Sequence, residues 1–351
     1  MKIGLVRRGF SATGGAEAYL LRLATGLARA GHEPVLITTG EWPVERWPNS
    51  SIIRLTGKTP RKFAAAVAEA HPAVDVTYSL ERVPGCQVYR AGDGVHAAWL
   101  YRRAQFEPRW RRFLHLINPK HLSLTRLECE VYQTAQFVIA NSEMVAEEIV
   151  RWQEFPRERV QVVPNGIGKS VARISRAEAR QRLDVPPDAF CVLFVGTGWE
   201  RKGLKFAIRA VENLGGKTLL LVAGRGPAER YKSSRAKFLG PVSDLSALFS
   251  AADVFTLPTI YDPFSNACLE ALAAGLPVVT TTANGFSEII TPDVHGNIVR
   301  PGGHDALAEA LAEWKDRPAA ETSAACRELA ANYSIERNVN ATLDVLTAIT
   351  K

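Results

Sequence analysis

The sequence predicts an α/β protein of two domains, each a parallel β-sheet covered on both faces by helices. Short runs rich in β-branched residues alternate with stretches of helical periodicity along the whole chain, and no hairpin signal joins neighbouring runs. At 351 residues the chain exceeds what a single core usually supports. The alternation also restarts at about Phe190, after a polar, basic stretch from Gly168 to Pro187 that follows the strong turn signal Pro164-Asn165-Gly166. Domain 1 is therefore expected over 1–167 and domain 2 over 168–334, with a last helix at about 335–351 that can pack back on the first domain.

Taken in order, Lys2 to Arg7 is a first strand rather than the core of a signal peptide, since its apolar run is too short. The glycine loop Gly14-Gly15-Ala16-Glu17 leads into a helix that has Tyr19, Leu20, Leu23 and Leu27 on one face and Gly31 as its stop. Gly14 and Gly15 lack a Cβ and would let a ligand approach the backbone, although a plain tight turn explains them equally. Pro34 to Thr38, Val74 to Tyr78 and Gln87 to Arg90 read as strands, and Phe63 to Ala70 as a helix. The third of these strands runs into Gly92-Asp93-Gly94-Val95-His96. An acid and a histidine there would lie at the carboxyl edge of the sheet, where open α/β sheets bind ligands. An ordinary turn aspartate is the alternative.

The next segment, 101–126, holds seven basic residues against one acid, Glu107. That imbalance equals the whole basic excess of residues 1–166, which carry 22 Lys/Arg and 16 Asp/Glu. Tyr101, Phe106, Trp110, Phe113 and Leu114 interleave with Arg102, Arg103, Arg109, Arg111 and Arg112, as in a helix lying on an anionic lipid surface. A helical hairpin with a solvated charged face is the second reading. Nucleic acid comes third and is not expected as a partner.

Phe137 to Asn141 and Val160 to Val163 are strands around a helix capped by Ser142. In the second domain, strand 190–195 meets the loop Gly196-Thr197-Gly198-Trp199-Glu200-Arg201-Lys202-Gly203, which carries two adjacent cations. Helix 204–214, strand 218–223, a helix around 228–235, a strand at Lys237 to Leu239 and a helix at 244–251 follow. Asp253 to Thr282 then reads strand, loop, helix, strand, with Ser265 or Asn266 as helix cap. Asp262 and Glu270 flank that helix start, placed to accept from sugar hydroxyls on either side of an anion; a helix-start acid and a solvated helix residue are the alternative. A short helix from Ser287, a strand at 296–299 and helices at 305–314, 319–332 and 335–349 complete the chain. Five scattered cysteines without metal-type spacing suit a reducing cytoplasm, and no apolar run approaches the roughly 20 residues of a membrane span.

Together these motifs resemble the retaining nucleotide-sugar glycosyltransferases of glycosyltransferase family 4. Gly14-Gly15-Ala16-Glu17 is similar to the family's glycine loop, and Asn141-Ser142 and Pro164-Asn165-Gly166 to its strand end and interdomain turn. Arg201-Lys202-Gly203 is similar to the diphosphate loop, Phe238-Leu239-Gly240 with Ser250 to Asp253 to the stretch after it, and Asp262 to Glu270 to the Glu-x7-Glu motif. Two departures stand out. Asp262 replaces the first glutamate, and the arginine that often precedes the lysine loop is Thr197, which leaves Arg201 to take over its charge. Tyr89 to Asp93 and the basic segment after it resemble the lipopolysaccharide core glucosyltransferases that act on inner-core heptose.

The resemblance implies the GT-B fold, two Rossmann-like domains facing a cleft, and transfer of a hexosyl group from a nucleoside-diphosphate sugar such as UDP-glucose to a glycan or glycolipid acceptor. The nucleotide sugar is a substrate, so neither cofactor nor metal is expected. Arg201 and Lys202 are expected to meet the leaving diphosphate, with the backbone at Gly14-Gly15 and Phe264-Ser265 sharing the charge. Glu270 is assigned to the ribose, Asp262 to the sugar, Phe238 and Leu239 to the base, and Asp93, Glu17 and His96 to the acceptor side. Arg109, Trp110, Arg111 and Arg112 are assigned to the inner face of the cytoplasmic membrane, with the protein otherwise cytoplasmic. A lipid-linked or exopolysaccharide acceptor, an epimerase or hydrolase on the same scaffold, and a two-lobed sugar-binding protein are the competing readings.

Overall fold

Strands that are apolar on both faces can exist only where helices cover both faces, and this decides the layers of the molecule. The computed structural model describes the chain except residues 11–14, 41, 44, 46, 49–50, 169–173, 243, 316, 318 and 351. It divides into unit 1, Met1–Gly168 with Tyr333–Lys351, and unit 2, Lys169–Asn332.

In unit 1 the strands are β1 (Lys2–Val6), β2 (Glu33–Thr38), β3 (Ile52–Arg54), β4 (Val76–Ser79), β5 (Val88–Arg90), β6 (Phe137–Ala140) and β7 (Val160–Val162). They pair in parallel in the order β3-β2-β1-β4-β5-β6-β7. The helices are α1 (Gly15–Arg29), α2 (Pro60–Ala70), α3 (His96–Ala104), α4 (Arg109–Leu116), α5 (Pro119–Thr134) and α6 (Glu143–Gln153). Thr59 and Ser142 cap α2 and α6 by accepting from the backbone N–H of Lys62 and Val145.

Unit 2 repeats the plan. Its strands are β8 (Phe190–Val195), β9 (Thr218–Ala223), β10 (Ala236–Gly240), β11 (Val254–Leu257), β12 (Val278–Thr281) and β13 (Gly296–Val299), all parallel in the order β10-β9-β8-β11-β12-β13. The helices are α7 (Arg176–Arg182), α8 (Leu204–Leu214), α9 (Ser246–Ala251), α10 (Asn266–Ala273), α11 (His304–Ala312) and α12 (Ala319–Ala331). The expected helix around 228–235 is a single 3-10 turn, Ala228–Arg230. Its sequence offers too few apolar residues to bury a helical face, so one turn after Pro227 is all that forms.

The chain returns to unit 1 through α13 (Ile335–Thr350), which packs on α1. Tyr19, Leu20, Leu23 and Leu27 share a core with Val339, Val345 and Leu346. Around them Arg90 is buried over the Tyr19 ring at 4.3 Å, and its guanidinium also donates to the Asn165 side chain. Asn338 accepts from the Tyr19 hydroxyl at 3.0 Å and donates to Pro164 O at 2.6 Å, joining helix, turn and strand in one polar network. The helices meet so closely at Gly26 that a Cβ there would lie 2.5 Å from Val339 Cγ2. Gly26→Val should therefore lower the urea unfolding free energy by about 1–3 kcal/mol, and Val339→Ala in the same chain should restore part of it.

Candidate functional site

In an open parallel sheet the ligand crevice forms where strand order reverses, because the two neighbouring strands send their loops to opposite faces. In unit 2 that point lies between β8 and β11. The loops leaving these strands carry Arg201-Lys202 and Asp262.

The two loops are tied together. Gly203 begins α8 at φ 77°, with so little space that a Cβ would lie 1.9 Å from Pro258 O. Arg201 O accepts from Ile260 N and from Thr259 Oγ1, both at 2.9 Å, and Arg201 Nη1 donates to Tyr261 O at 2.8 Å. Lys202 Nζ then donates to Asp262 Oδ2 at 2.9 Å, with Arg201 Nη1 3.8 Å from the same oxygen. Lys202 and Asp262 are nearly buried, whereas a third of the Arg201 side chain is open to solvent. Burial pushes the Asp262 pKa up, but Lys202 and Arg201 outweigh it, helped by the Phe264 backbone N–H, so the carboxyl sits below the ordinary range and is ionised.

Asp262 is fixed from its backbone as well: its N–H donates to Ala283 O and its carbonyl accepts from Gly285 N, both at 2.9 Å. The fully buried Asn284 Oδ1 accepts from Ser265 N at 3.3 Å and Phe286 N at 3.2 Å. Ser265 caps α10 by accepting from Cys268 N, and the start of that helix lies next to Asp262, whose carboxylate is bonded by the Phe264 backbone N–H. Phe264 is buried against Phe286, and Glu270 stands half-buried within α10. Phe238 and Leu239 lie on β10, where the Phe238 ring is 5.5 Å from Trp199. Trp199, buried in the cation loop with Nε1 donating to Gly196 O at 2.9 Å, was not singled out from sequence. A tryptophan inside a glycine-flanked loop was the available signal.

Unit 1 reverses its strand order between β1 and β4, and there too the two loops are joined by charge. Arg7 Nη2 donates to Glu17 Oε1 at 2.9 Å and Arg7 Nε lies 3.6 Å from Glu81, which also meets Arg8 at 3.7 Å. Glu17 is thus a buried partner of Arg7 at the start of α1, while Gly14 lies outside the described residues. Arg7 and Glu81 were missed; charged residues directly after apolar strands are the signal that marks them.

Asp93 projects from the turn after β5 and is largely exposed, 3.9 Å from Arg82. His96 faces away from solvent: its N–H donates to Glu128 Oε2 at 2.8 Å and its ring lies against His121, with Nε2 3.1 Å from His121 Nδ1. Burial, Arg82 and His121 lower its pKa to about 4, leaving the imidazole neutral near pH 7. Arg109, Trp110, Arg111 and Arg112 are all exposed on α4, which has no buried side chain among those described. Trp110, Phe113, Leu114, Ile117 and Leu122 form a band of large apolar side chains open to solvent. The one acid of the segment, Glu107, is buried beside Arg103 and His115, so the outer face keeps only its cations. Among the described residues no cluster of His, Cys, Asp and Glu is disposed to hold a metal, and no helix is long and apolar enough to cross a membrane.

Comparison with known proteins gives two matching family models, glycosyl transferase 4-like domain over residues 14–166 and glycosyl transferases group 1 over residues 189–316. An uncharacterized glycosyltransferase of Methanocaldococcus jannaschii is 31% identical over 205 residues, a match spanning about half of each chain (52%). The lipopolysaccharide glucosyltransferase WaaG of Escherichia coli K12 is 27% identical over 326 residues, 85% of either chain. A crystal structure of WaaG superposes with TM-score 0.81 at 22% identity, covering 98% of this chain and 99% of that one. Anabaena HepE, solved with UDP-glucose, follows at TM-score 0.75 and 18% identity, covering 100% and 99%. With both family models matched in order and the two parallel sheets shared with these structures, the chain belongs to the group 1 and 4-like glycosyltransferases of the GT-B fold.

Proposed function

We propose that the protein moves a hexosyl group, with retention at the anomeric carbon, from a nucleoside-diphosphate sugar such as UDP-glucose to a glycan of the lipopolysaccharide core type. The observation that carries this reading is the Arg201-Lys202 pair locked against Asp262 beside the start of α10. Similarity to the E. coli lipopolysaccharide glucosyltransferase along most of the chain, and to a fold solved with UDP-glucose, supports the choice of donor and acceptor class.

In this reading the bond from the anomeric carbon to the β-phosphate oxygen breaks, and the diphosphate departs with its electron pair. Lys202 and Arg201 meet that charge, together with the N–H groups at the start of α10, and all are held in place before reaction. The acceptor oxygen attacks on the face the diphosphate leaves, and its proton passes to the departing phosphate oxygen. Asp262 takes the donor sugar's hydroxyls and Glu270 those of the ribose; Phe238 and Leu239 border the base, and Asp93 with Glu17 and His96 serves the acceptor side. The exposed apolar band and cations of α4 rest on an anionic membrane surface, where a glycolipid acceptor is presented.

Lys202→Ala should lower kcat on the order of 10²–10³-fold, as for a lost oxyanion donor, and also lower the melting temperature, because it strands the nearly buried Asp262 carboxylate; a folded variant with wild-type turnover refutes the diphosphate role. Asp262→Asn is expected to cripple transfer yet leave UDP affinity, measured by calorimetry, near the wild-type value. Replacing Arg109, Arg111 and Arg112 together by Glu should release the protein from phosphatidylglycerol vesicles in a sedimentation assay, and unchanged binding would make α4 a structural element only. A donor screen read by mass spectrometry, with truncated lipopolysaccharide as acceptor, tests the reaction itself: nucleotide release that does not depend on acceptor would favour a hydrolase.

A further inference from the structure

A second place on unit 1 has the chemistry of a sugar site, with its aromatic corner toward the ends of α3 and α6 that lie away from the carboxyl edge of the sheet. Between α3 and α6 is a cavity of about 230 Å³. Tyr101 and Trp152 form one corner of it, their rings 5.7 Å apart and tilted by 51°. Both are exposed, Tyr101 by 58% and Trp152 by 38%, unusual for large aromatic residues with nothing to cover them. The floor is Ala98 and Met144, and the remaining wall is polar.

The charges of that wall narrow the ligand. Arg102 donates from Nε and Nη2 to Glu148 Oε1, at 3.1 and 2.8 Å, so these two neutralise each other. Glu147 and Arg151 line the same space, exposed and in no ion pair among the described residues. Two arginines against two glutamates leave the lining without net charge, which disfavours a phosphate or an acidic headgroup. An aromatic face beside separate acceptors and donors is what a pyranose ring requires, since its C–H faces are apolar and its rim is hydroxyl. The volume lies below the range of drug-sized pockets and suits a single ring. The lining runs along both helices: Ala98 and Met144 belong to the first turns of α3 and α6, whereas Tyr101, Arg102, Arg151 and Trp152 lie further along, about 1.5 Å per residue. The aromatic corner is thus at the end away from the Asp93 turn.

We infer that this cavity is a second carbohydrate-binding site, which holds one neutral pyranose unit of a glycan by stacking on Trp152 and Tyr101 and by hydrogen bonds to Glu147 and Arg151. It rests on the glycosyltransferase reading only in taking a glycan as the natural ligand; the binding itself is independent of turnover. Such a site retains a glycan acceptor through a unit remote from the one that reacts.

The test is saturation-transfer NMR on the full chain with neutral methyl pyranosides, methyl α-glucoside first. Saturation should reach the ring C–H protons, weaken about tenfold in Trp152→Ala and persist in Trp152→Phe. Glu147→Gln, which spares the aromatic corner, should weaken binding as well. UDP binding, followed in the same samples, should be unchanged by all three. No transfer in the wild type, or equal transfer in Trp152→Ala, overturns the site. Displacement of the sugar by inorganic phosphate would make it an anion site, and loss of phosphatidylglycerol vesicle binding in Trp152→Ala without any sugar signal would assign it to the lipid surface; either result overturns the proposal. Failure of the wild type to bind UDP counts against the transferase reading and leaves the sugar result standing.

Discussion

Two parallel strands cannot be joined by a tight turn; the chain must cross back, here through helices or, as from β4 to β5, a loop, before it can pair again. In both units this sends every strand in the same direction and collects all the outgoing loops at one edge. Where the order reverses, between β1 and β4 and between β8 and β11, the loops part around a gap. Each gap is spanned by opposite charges, Arg7 and Arg8 with Glu81 in one unit and Lys202 with Asp262 in the other. The charged residues can sit there because the sheet edge supplies backbone partners that the strand interiors have already used.

A nearly buried lysine–aspartate pair is weak as a stabilising device, since removing two charges from water costs about as much as their attraction returns. Its value is geometric. Asp262 is held through its backbone by Ala283 and Gly285, Lys202 lies along Gly196, and the Arg201 side chain is gripped by Tyr261. The cations at this edge are thereby fixed by the protein's own contacts, the condition under which electrostatic stabilisation is strongest. The ionised Asp262 in turn keeps Lys202 in place.

The α3–α5 segment follows a different logic. In α4 the large apolar side chains Trp110, Phe113 and Leu114 face outward while Glu107 just before it is buried, so packing the protein's own core is not what these residues do. The separation of roles is clear along α3 itself: His96 and Ala98 are buried beneath, while Tyr101 stands exposed beside Trp152. One helix therefore contributes both to the packing after the Asp93 turn and to an outer wall open to solvent.

Local patterns determined most of the architecture. Strand alternation, the Ser142 and Ser265 caps, the Pro164-Asn165-Gly166 turn and the cationic loop are each set by residues within a few positions of one another, so they can be read along the chain. The failed helix at 228–235 marks the limit of that reading, since a stretch whose only apolar residues are Ala228 and Tyr231 carries too little periodicity to decide between one turn and two. Tertiary structure alone decided which charges meet. Lys202 and Asp262 are 60 residues apart, Arg8 and Glu81 73, and His96 and His121 25. The same holds for the Tyr101–Trp152 corner and for Val339 against Gly26. Such contacts depend on strand order and helix placement, which arise from how whole faces are buried, and no short window of sequence contains that information.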